Sequence, residues 1–260
     1  MTIYLGATEI NKIYIGATEI NEIDLGETEV YGSSWDSITT HPTLSTGLQA
    51  YYSLESASGT DLVAGTYTLA NAGATNGGAG IISNCTAFAT NDYMHDTTDA
   101  FISNTSGSLS LWVKVTDHTV WETFMSYGKS GSEFRIGFQN SVFKAYLYDA
   151  SGWSYICRLN AFAVSDATWY HVVFTYNVTG AVKTFYINGT SQTITYEYGS
   201  AAVAEWWNVL DAGAIIKLGV NPDANAYLTG SLDETGIWNK VLTQSEVTDL
   251  YNTGSGLKYT

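Results

Sequence analysis

The sequence predicts an all-β protein in which two antiparallel sheets pack face to face. Three observations support this class. Of the 260 residues, 45% are hydrophobic, which is enough to fill a core. The abundant Thr, Val, Ile, Tyr and Trp favour pleated strands, and 25 glycines against two prolines indicate many tight turns. From Leu48 onward, strand-like runs recur at regular intervals between Gly, Asn, Asp and Ser, which is typical of a sandwich.

The first element is a ten-residue unit written three times, at residues 3–12, 13–22 and 23–32. Each unit has an alternating strand pattern, then a turn that contains Gly, then a TEI or TEV segment that starts the next strand. We therefore expect a small meander over residues 1–32. Because so thin a meander cannot bury both faces alone, it is predicted to anchor or oligomerise the chain, with a homotrimer favoured. The alternative is a β-extension packed on the domain that follows.

The next stretch, residues 33–46, is rich in Ser and Thr and has no clean period, which predicts a linker or strap. Residues 47–260 then form the sandwich domain. One segment near the end, TQSEVTDLYNTG, is predicted to be a short helix. Thr243 can cap it, Glu246 stands where a capping box needs an acidic residue, and Gly254 follows its end. The candidate strands in order are LQAYYSL, TYTLA, DYMHD, SLSLWVKV, ETFMSYG, EFRIGFQ, VFKAYLYDA, SYICRLN, WYHVVFTYN, VKTFYING, TSQTITYE, AIIKLGV and LTGSLDETGIWN.

The charge balance excludes some partners. A net charge of −15 with only ten Lys and Arg argues against nucleic acid and against an anionic membrane, and fits an uncharged partner such as a glycan or a divalent cation. The start of the chain lacks a basic segment followed by an apolar run, and no stretch has the roughly 20 apolar residues of a spanning helix. We therefore expect synthesis in the cytoplasm. Cys85 and Cys157 are expected to be two unpaired thiols rather than a disulfide.

Four segments resemble a known family. They are GLQAYYSLE with GTDLVAGTYT, SLSLWVKV, WYHVVFTYNVTGAVKTFYINGT, and LTGSLDETGIWNKVLTQSEVTDLYNTGSG. In this order they are similar to laminin-G-like, concanavalin-A-like jelly-roll domains, over roughly residues 47–257. The resemblance implies a jelly roll with one short C-terminal helix. Separately, the decamers resemble those that begin many bacteriophage virion and tail-associated proteins, which implies attachment to other virion proteins through residues 1–32.

The jelly-roll class includes glycoside hydrolases, which depend on a catalytic pair of carboxylates. Retaining hydrolysis needs two carboxylates about 5–5.5 Å apart. Hydrolases of this class carry them on one strand as Glu-x-Asp-x-x-Glu, and SLDETG is the nearest match here. Ser231 and Gly236 replace the two glutamates and only Asp233 remains, so we predict a protein that is not an enzyme. His171, within a strand, is expected to be structural.

A structural calcium ion is implied by the same resemblance. Domains of that family often hold one Ca²⁺ at an end of the sandwich, where carbonyls and one or two carboxylates suffice as ligands. The matching positions are Asp233 in SLDE and Asp61 in SGTDLVAG. The alternative is that Asp233 caps a turn and that Asp61 is solvated.

Aromatic side chains are the candidates for carbohydrate binding. Trp206 and Trp207 are adjacent in a predicted loop, and loops at the ends of a sandwich often carry binding residues. We expect at least one of these rings to be exposed, with Trp153 and Tyr198 as companions. The alternative is that both tryptophans fill an edge of the core.

The leading functional hypothesis is a non-enzymatic phage virion surface protein, made in the host cytoplasm and located in the virion as a decoration protein, fibre or tail adhesin. Its lectin-like sandwich would bind a cell-surface glycan or a virion partner. The first alternative is a free carbohydrate-binding module. The second is a degenerate glycoside hydrolase, which the residues at positions 231 and 236 disfavour.

Overall fold

The structure, a computed structural model, describes residues 3–5, 8–10, 13–15, 18–20, 22–25, 28–32, 37–96, 105–160, 162–210 and 213–260. The chain divides into two compact units, Met1–Asp36 and Ser37–Thr260. We call the second the sandwich unit. Among the described residues, no helix is long and apolar enough to cross a membrane.

The described residues of the first unit form three two-stranded hairpins. Its strands are β1 (Ile3–Leu5), β2 (Thr8–Ile10), β3 (Ile13–Ile15), β4 (Thr18–Ile20), β5 (Glu22–Leu25) and β6 (Thr28–Gly32). They pair as β1 with β2, β3 with β4, and β5 with β6. The TEI segment of a decamer therefore pairs with the first strand of the same decamer, and Ile3 stands opposite Ile10. This corrects the predicted meander, because each decamer is a hairpin rather than one strand and a turn.

The sandwich unit contains sixteen strands among its described residues, and one α-helix. They are β7 (Leu48–Tyr52), β8 (Leu69–Ala72), β9 (Thr75–Ala79), β10 (Asn84–Phe88), β11 (Tyr93–Asp96), β12 (Gly107–Val115), β13 (Glu122–Lys129), β14 (Ser132–Gln139), β15 (Val142–Asp149), β16 (Gly152–Leu159), β17 (Trp169–Asn177), β18 (Val182–Ile187), β19 (Thr190–Gln192), β20 (Ile194–Tyr198), β21 (Ile215–Leu218), β22 (Gly230–Trp238) and α1 (Gln244–Tyr251).

Two eight-stranded antiparallel sheets form the sandwich. Sheet one has the order β19-β18-β17-β12-β22-β10-β9, and β7 also pairs with β22. Sheet two has the order β20-β16-β15-β14-β13-β21-β11-β8. The predicted all-β, two-sheet sandwich with one short helix is thus confirmed. The core lies between the sheets because alternate residues of each strand point inward. Phe134, Ile136 and Phe138 of β14, for example, are all buried in it.

Strand β22 lies at the centre of sheet one. It pairs with β12 along one edge, and shares its other edge between β10 and β7. The register with β12 shifts between Ser110 and Trp112, at a β-bulge where Glu234 has a φ of 45°. The conspicuous SLDETG segment is therefore the structural centre of a sheet.

The outer face of sheet one is covered. The helix α1 lies over it, and the Tyr251 ring stacks on Trp112 with centroids 5.6 Å apart. Both halves of the predicted capping box are present, between Thr243 and Glu246. Residues 37–46, which we call the strap, lie in the same region, where the Trp238 Nε1 donates to the carbonyl oxygen of Leu44 at 2.7 Å. The described part of the predicted linker is thus packed.

His171 and the two cysteines lie in the interior of the sandwich unit. His171 is buried under the helix side of sheet one, where its Nε2 lies 2.8 Å from the Ser110 hydroxyl. Burial lowers the pKa of His171 to about 3, so the ring is neutral. Cys85 and Cys157 are both buried and free.

Candidate functional site

The outer face of sheet two carries the exposed aromatic side chains Trp153 and Tyr198. Across β14, β15, β16 and β20 the register aligns side chains into rows, because residues opposite each other in an antiparallel pair share a face. We call this surface the binding face. Its three rows are Glu133–Tyr148–Trp153, Arg135–Tyr146–Ile156–Tyr198 and Gly137–Lys144–Arg158–Thr195.

Two of the predicted sugar-binding residues meet on this face. Trp153 is 37% exposed and Tyr198 is 51% exposed. They come from different strands, β16 and β20, and only the register shows that both belong to the outer face. Trp153 packs edge-on against the Tyr148 ring, with centroids 5.0 Å apart.

The other two, Trp206 and Trp207, are buried, each only 1% exposed. The expectation that at least one ring is exposed is wrong. Trp206 is extended and Trp207 begins a short 3-10 helix, Trp207–Val209, so the rings do not alternate as they would in a strand. Instead they stack in parallel at 5.1 Å, with Trp206 against Tyr176 and Trp207 against Tyr127. They belong to the core and cannot offer a face to a sugar.

A residue outside the predicted sugar-binding set completes the aromatic surface. Trp121 precedes β13 and is 40% exposed. Its ring covers the guanidinium of Arg135, whose central carbon lies 4.4 Å from the ring centroid. The same guanidinium carbon of Arg135 also lies 4.6 Å from the centroid of the Tyr146 ring. Such cation–π contacts hold Trp121 in place over the sheet.

Trp121 and Trp153 line one groove of about 450 Å³. Its floor and walls also include Glu133, Arg135, Tyr148, Asn221, Asp223 and Asn225. Aromatic rings at the mouth and polar groups below are the usual composition of a small-ligand site. The sequence signals for this groove were the outward positions of β14 to β16, but their register could not be read from the sequence.

The groove floor contains charged groups that are nearly removed from water. Arg135 is 5% exposed and lies 3.6 Å from Glu133 through Nη1. Burial raises the pKa of the Glu133 carboxyl, and Arg135 partly opposes this. Among the described residues, Glu133 Oε2 and Arg135 Nε have no hydrogen-bond partner. A ligand with hydroxyl groups can both donate to and accept from such a pair.

The two predicted calcium ligands are acceptors for backbone N–H groups. Asp61 Oδ1 accepts from Tyr51 at 3.2 Å and from Val63 at 3.0 Å, and its Oδ2 accepts from Tyr67 at 3.3 Å. Asp61 is buried rather than solvated. Asp233 Oδ2 accepts from the N–H groups of residues 81 and 82, at 2.7 and 3.2 Å, so it caps a turn.

These roles need no cation, although Asp233 Oδ1 is buried without a partner in the described structure. In the described ranges, no group of three or more His, Cys, Asp or Glu side chains is arranged to hold a metal ion. The geometry thus gives no support to a calcium site shared by Asp61 and Asp233. Calcium binding remains a prediction, which melting curves in excess chelator would test.

The remnant of the hydrolase motif has no room for a catalytic pair. A Cβ atom at Gly236 would lie 2.5 Å from the Trp238 ring and 3.1 Å from the Tyr51 ring, so a glutamate cannot replace this glycine. The neighbouring Glu234 is buried and accepts a hydrogen bond from the Tyr51 hydroxyl. These acids are committed to holding the bulge of β22.

The chain is similar to several solved structures. One is domain 4 of AbnA, a GH43 extracellular arabinanase from Geobacillus stearothermophilus, in complex with arabinotriose. It shares 20% identity and a TM-score of 0.60, over 78% of this chain and 97% of that domain. Another is the binding domain of Paraclostridial Mosquitocidal Protein 1, with 19% identity and a TM-score of 0.57 over 81% of this chain and 53% of that one.

A third is the ligand binding domain of botulinum neurotoxin serotype D, in complex with N-acetylneuraminic acid, with 16% identity and a TM-score of 0.57. The match covers 80% of this chain and 51% of that one, so this chain spans about half the length of the two toxin domains. At these identities the likeness is one of fold.

No curated protein matches the chain. A family model does match it, over residues 88–248, and its description is the concanavalin A-like lectin/glucanases superfamily (Laminin_G_3). This match takes in most of the two sheets, the first five residues of the helix α1 and the whole binding face. The chain therefore belongs to the concanavalin A-like lectin/glucanase superfamily.

Proposed function

We propose that the sandwich is a non-enzymatic glycan-binding module and that the binding face, with its groove, holds the sugar. One observation carries this proposal. Trp121 and Trp153, both partly exposed, line a polar groove on the outer face of sheet two. Aromatic rings can stack on sugar C–H faces while the groups below take the hydroxyls. The arabinotriose complex of the similar domain supports the same class of ligand.

The absence of catalysis is part of the proposal. Gly236 stands against aromatic rings where a hydrolase of this class would have a glutamate. Asp233 is engaged by two backbone N–H groups. Both features lie on β22 in sheet one, whereas the groove lies on sheet two. A degenerate hydrolase is therefore the weaker alternative.

We further propose that this module is displayed on a phage virion, with the first unit as its attachment or oligomerisation segment. Support comes from the three decamers and their resemblance to the first residues of virion proteins. A fold shared with a domain in complex with arabinotriose and with the binding domain of a mosquitocidal protein suits an adhesin or a decoration protein. A free carbohydrate-binding module with the same groove is the alternative. Immunogold labelling of purified particles would separate the two, because only the first leaves the protein on the particle.

The glycan proposal is tested on the intact chain with a glycan array, followed by titration calorimetry of the strongest ligand. Trp153→Ala and Trp121→Ala are each expected to weaken binding by about tenfold, the effect of losing roughly 1.4 kcal/mol at a contact hot spot. The matched control is Trp169→Ala, which removes a partly exposed tryptophan that Lys114 contacts on sheet one. If every array glycan fails to bind, or if Trp153→Ala binds as well as the control, the proposal is wrong.

A further inference from the structure

The binding face carries both arginines of this acidic chain. The chain has ten Lys and Arg against 25 Asp and Glu, and only two of the ten are arginines. Both arginines, Arg135 and Arg158, lie on the binding face together with Lys144. Lys217 of β21 occupies the next outward position beyond them, between the buried Ile216 and Leu218. The net charge of the molecule repels an anion, and these basic side chains form a local positive patch against it.

Their counter-charges on the face are fewer. Lys144 Nζ lies 2.6 Å from Glu197 Oε2, and Arg158 Nε lies 3.2 Å from Oε1 of the same carboxylate. Two cations thus share one anion, which leaves an excess positive charge at this end of the rows. Lys144 is buried and also donates to Gln139 Oε1 at 2.8 Å, so Arg158 is the accessible member of the pair.

Arg158 has an open fork. Its side chain is 35% exposed, and within the described structure its one ion pair is made through Nε. Neither terminal nitrogen of its guanidinium donates a hydrogen bond to any described residue. Two parallel N–H groups in this fixed geometry match the oxygens of a carboxylate or a sulfate, which they can bind in bidentate fashion.

An exposed aromatic ring stands next to this fork. Tyr198 is opposite Ile156 in the register, and Ile156 is two residues from Arg158 along β16. Two residues of a strand span roughly 7 Å, about the length of one sugar ring with its substituent. A pyranose lying on Tyr198 would therefore present an acidic substituent to the Arg158 guanidinium.

We propose that the binding face selects an anionic glycan, with Arg158 binding the carboxylate or sulfate of a sugar ring that packs on Tyr198. This proposal rests on the proposed glycan binding and adds the class of sugar. Neutral sugar units of the same glycan would occupy the groove between Trp121 and Trp153, farther along the rows. Lys144 and Arg158 share the one carboxylate of Glu197, and the negative group of the sugar would supply a second.

The test uses the intact chain and three matched pairs of ligands. These are trigalacturonic acid with its methyl ester, 3′-sialyllactose with lactose, and a chondroitin sulfate tetrasaccharide with its desulfated form. In at least one pair the anionic member is expected to bind about tenfold more tightly, as charge-assisted hydrogen bonds allow. Added salt should reduce this difference. The pair that responds shows whether the source is a carboxylate or a sulfate.

The Arg158→Gln variant should remove the preference, so that the anionic and neutral members of the pair bind with similar affinity. Lys258→Gln, which removes an exposed positive charge at the end of the chain, is the control and should keep the preference. Equal affinity within all three pairs, or a preference that survives in Arg158→Gln, would overturn the inference while leaving glycan binding intact. A failure to bind any member of any pair, together with a blank glycan array, would overturn both.

Discussion

Three buried carboxyl groups hold bulges and turns of the sandwich unit together. Asp233 caps the turn at residues 81 and 82, Glu234 accepts from Tyr51, and Glu122 accepts from the N–H and the hydroxyl of Thr229. Burial raises the pKa of Asp233 to about 7, of Glu234 to about 9 and of Glu122 to about 7, because the charged form loses its hydration. At neutral pH each of these three carboxyl groups is therefore partly or fully protonated.

These shifts make stability depend on pH. A carboxyl whose pKa is raised on folding stabilises the native state when protonated, and this contribution is lost as pH rises from about 4 toward the folded pKa. The lowered pKa of His171, about 3, acts in the opposite sense, since its contribution is lost only as pH falls below about 6.5. Between pH 6.5 and 8 the three carboxyl groups outweigh His171, so they decide whether the free energy of unfolding rises or falls.

We therefore predict that the free energy of unfolding falls from pH 6.5 to pH 8, by about 1 kcal/mol per pH unit for each carboxyl still titrating. Glu234→Gln keeps an acceptor for the Tyr51 hydroxyl and removes the ionisation, so it should flatten this slope. Urea unfolding at a series of pH values measures it, with Asp223→Asn, at an exposed carboxylate, as the control. A slope that is unchanged in Glu234→Gln would contradict the assignment.

At the scale of elements, the strap is integral to the sandwich unit although no part of it is a strand. Ile38 and Leu44 are fully buried, and the backbone N–H of Ile38 donates to the carbonyl of Lys258 at 2.8 Å. His41 Nε2 lies 2.9 Å from Asp249 in the helix α1. The strap thus ties the start of the unit to its end.

This tie predicts where the unit can be cut. A chain that starts at Ser37 should melt as the intact sandwich does. A chain that starts at Gly47 exposes the sites of Ile38 and Leu44, and should lose about 3–6 kcal/mol, since burying each such side chain contributes about 1.5–3 kcal/mol. Calorimetric melting of the two chains measures the difference, and Leu44→Ala in the full-length chain serves as a second test. Equal melting temperatures would show that the strap does not stabilise the unit.

The elements also show what the sequence can and cannot predict. Alternation in WYHVVFTYN and the Asn188-Gly189 turn predicted β17 and the β18–β19 hairpin, where both turn residues have positive φ. The helix was predicted by its capping box. The decamer hairpins were missed, because the pattern within a unit fits pairing inside or between units equally well. Only the observed register distinguishes these two arrangements.

The candidate site was predicted in part for the same reason. Trp153 and Tyr198 were identified as aromatic residues near turns, and both lie on the binding face. Trp121, Arg135 and Arg158 were missed because their proximity depends on which strands are neighbours. Trp206 and Trp207 were misplaced because a loop that folds inward leaves no periodic signal. Strand character is local, whereas the neighbours of a strand are set by long-range contacts.

At the scale of the whole molecule, the first unit and the sandwich unit differ in how much structure they contain. The sandwich unit has two eight-stranded sheets with a shared core. In the part of the first unit that the structure describes, there are three hairpins of two strands each. A two-stranded hairpin is marginally stable by itself in water, so additional partners for these strands are expected.

We predict that the intact chain is a homo-oligomer, with a trimer favoured, and that a chain starting at Ser37 is a monomer. The reason is that copies of the first unit can supply one another with the contacts that a lone hairpin lacks. Light scattering coupled to size-exclusion chromatography, at micromolar concentration, measures both masses. If both chains are monomers, residues 1–32 do not associate with themselves, and pull-down with other virion proteins becomes the test of attachment.

The central position of β22 bears on how the protein is made. Sheet one cannot be assembled around its middle until residues 230–238 have been synthesised, because this strand joins β12 to β10 and β7. At about 5–20 residues per second, the ribosome needs roughly 10 s or longer to make the more than 200 residues that precede β22. The earlier strands of sheet one lack their central partner until then. Exposed strand edges invite misassembly during that interval. Closure of sheet one therefore has to wait for residues 230–238, and chaperones of the producing cell have time to act on the earlier strands.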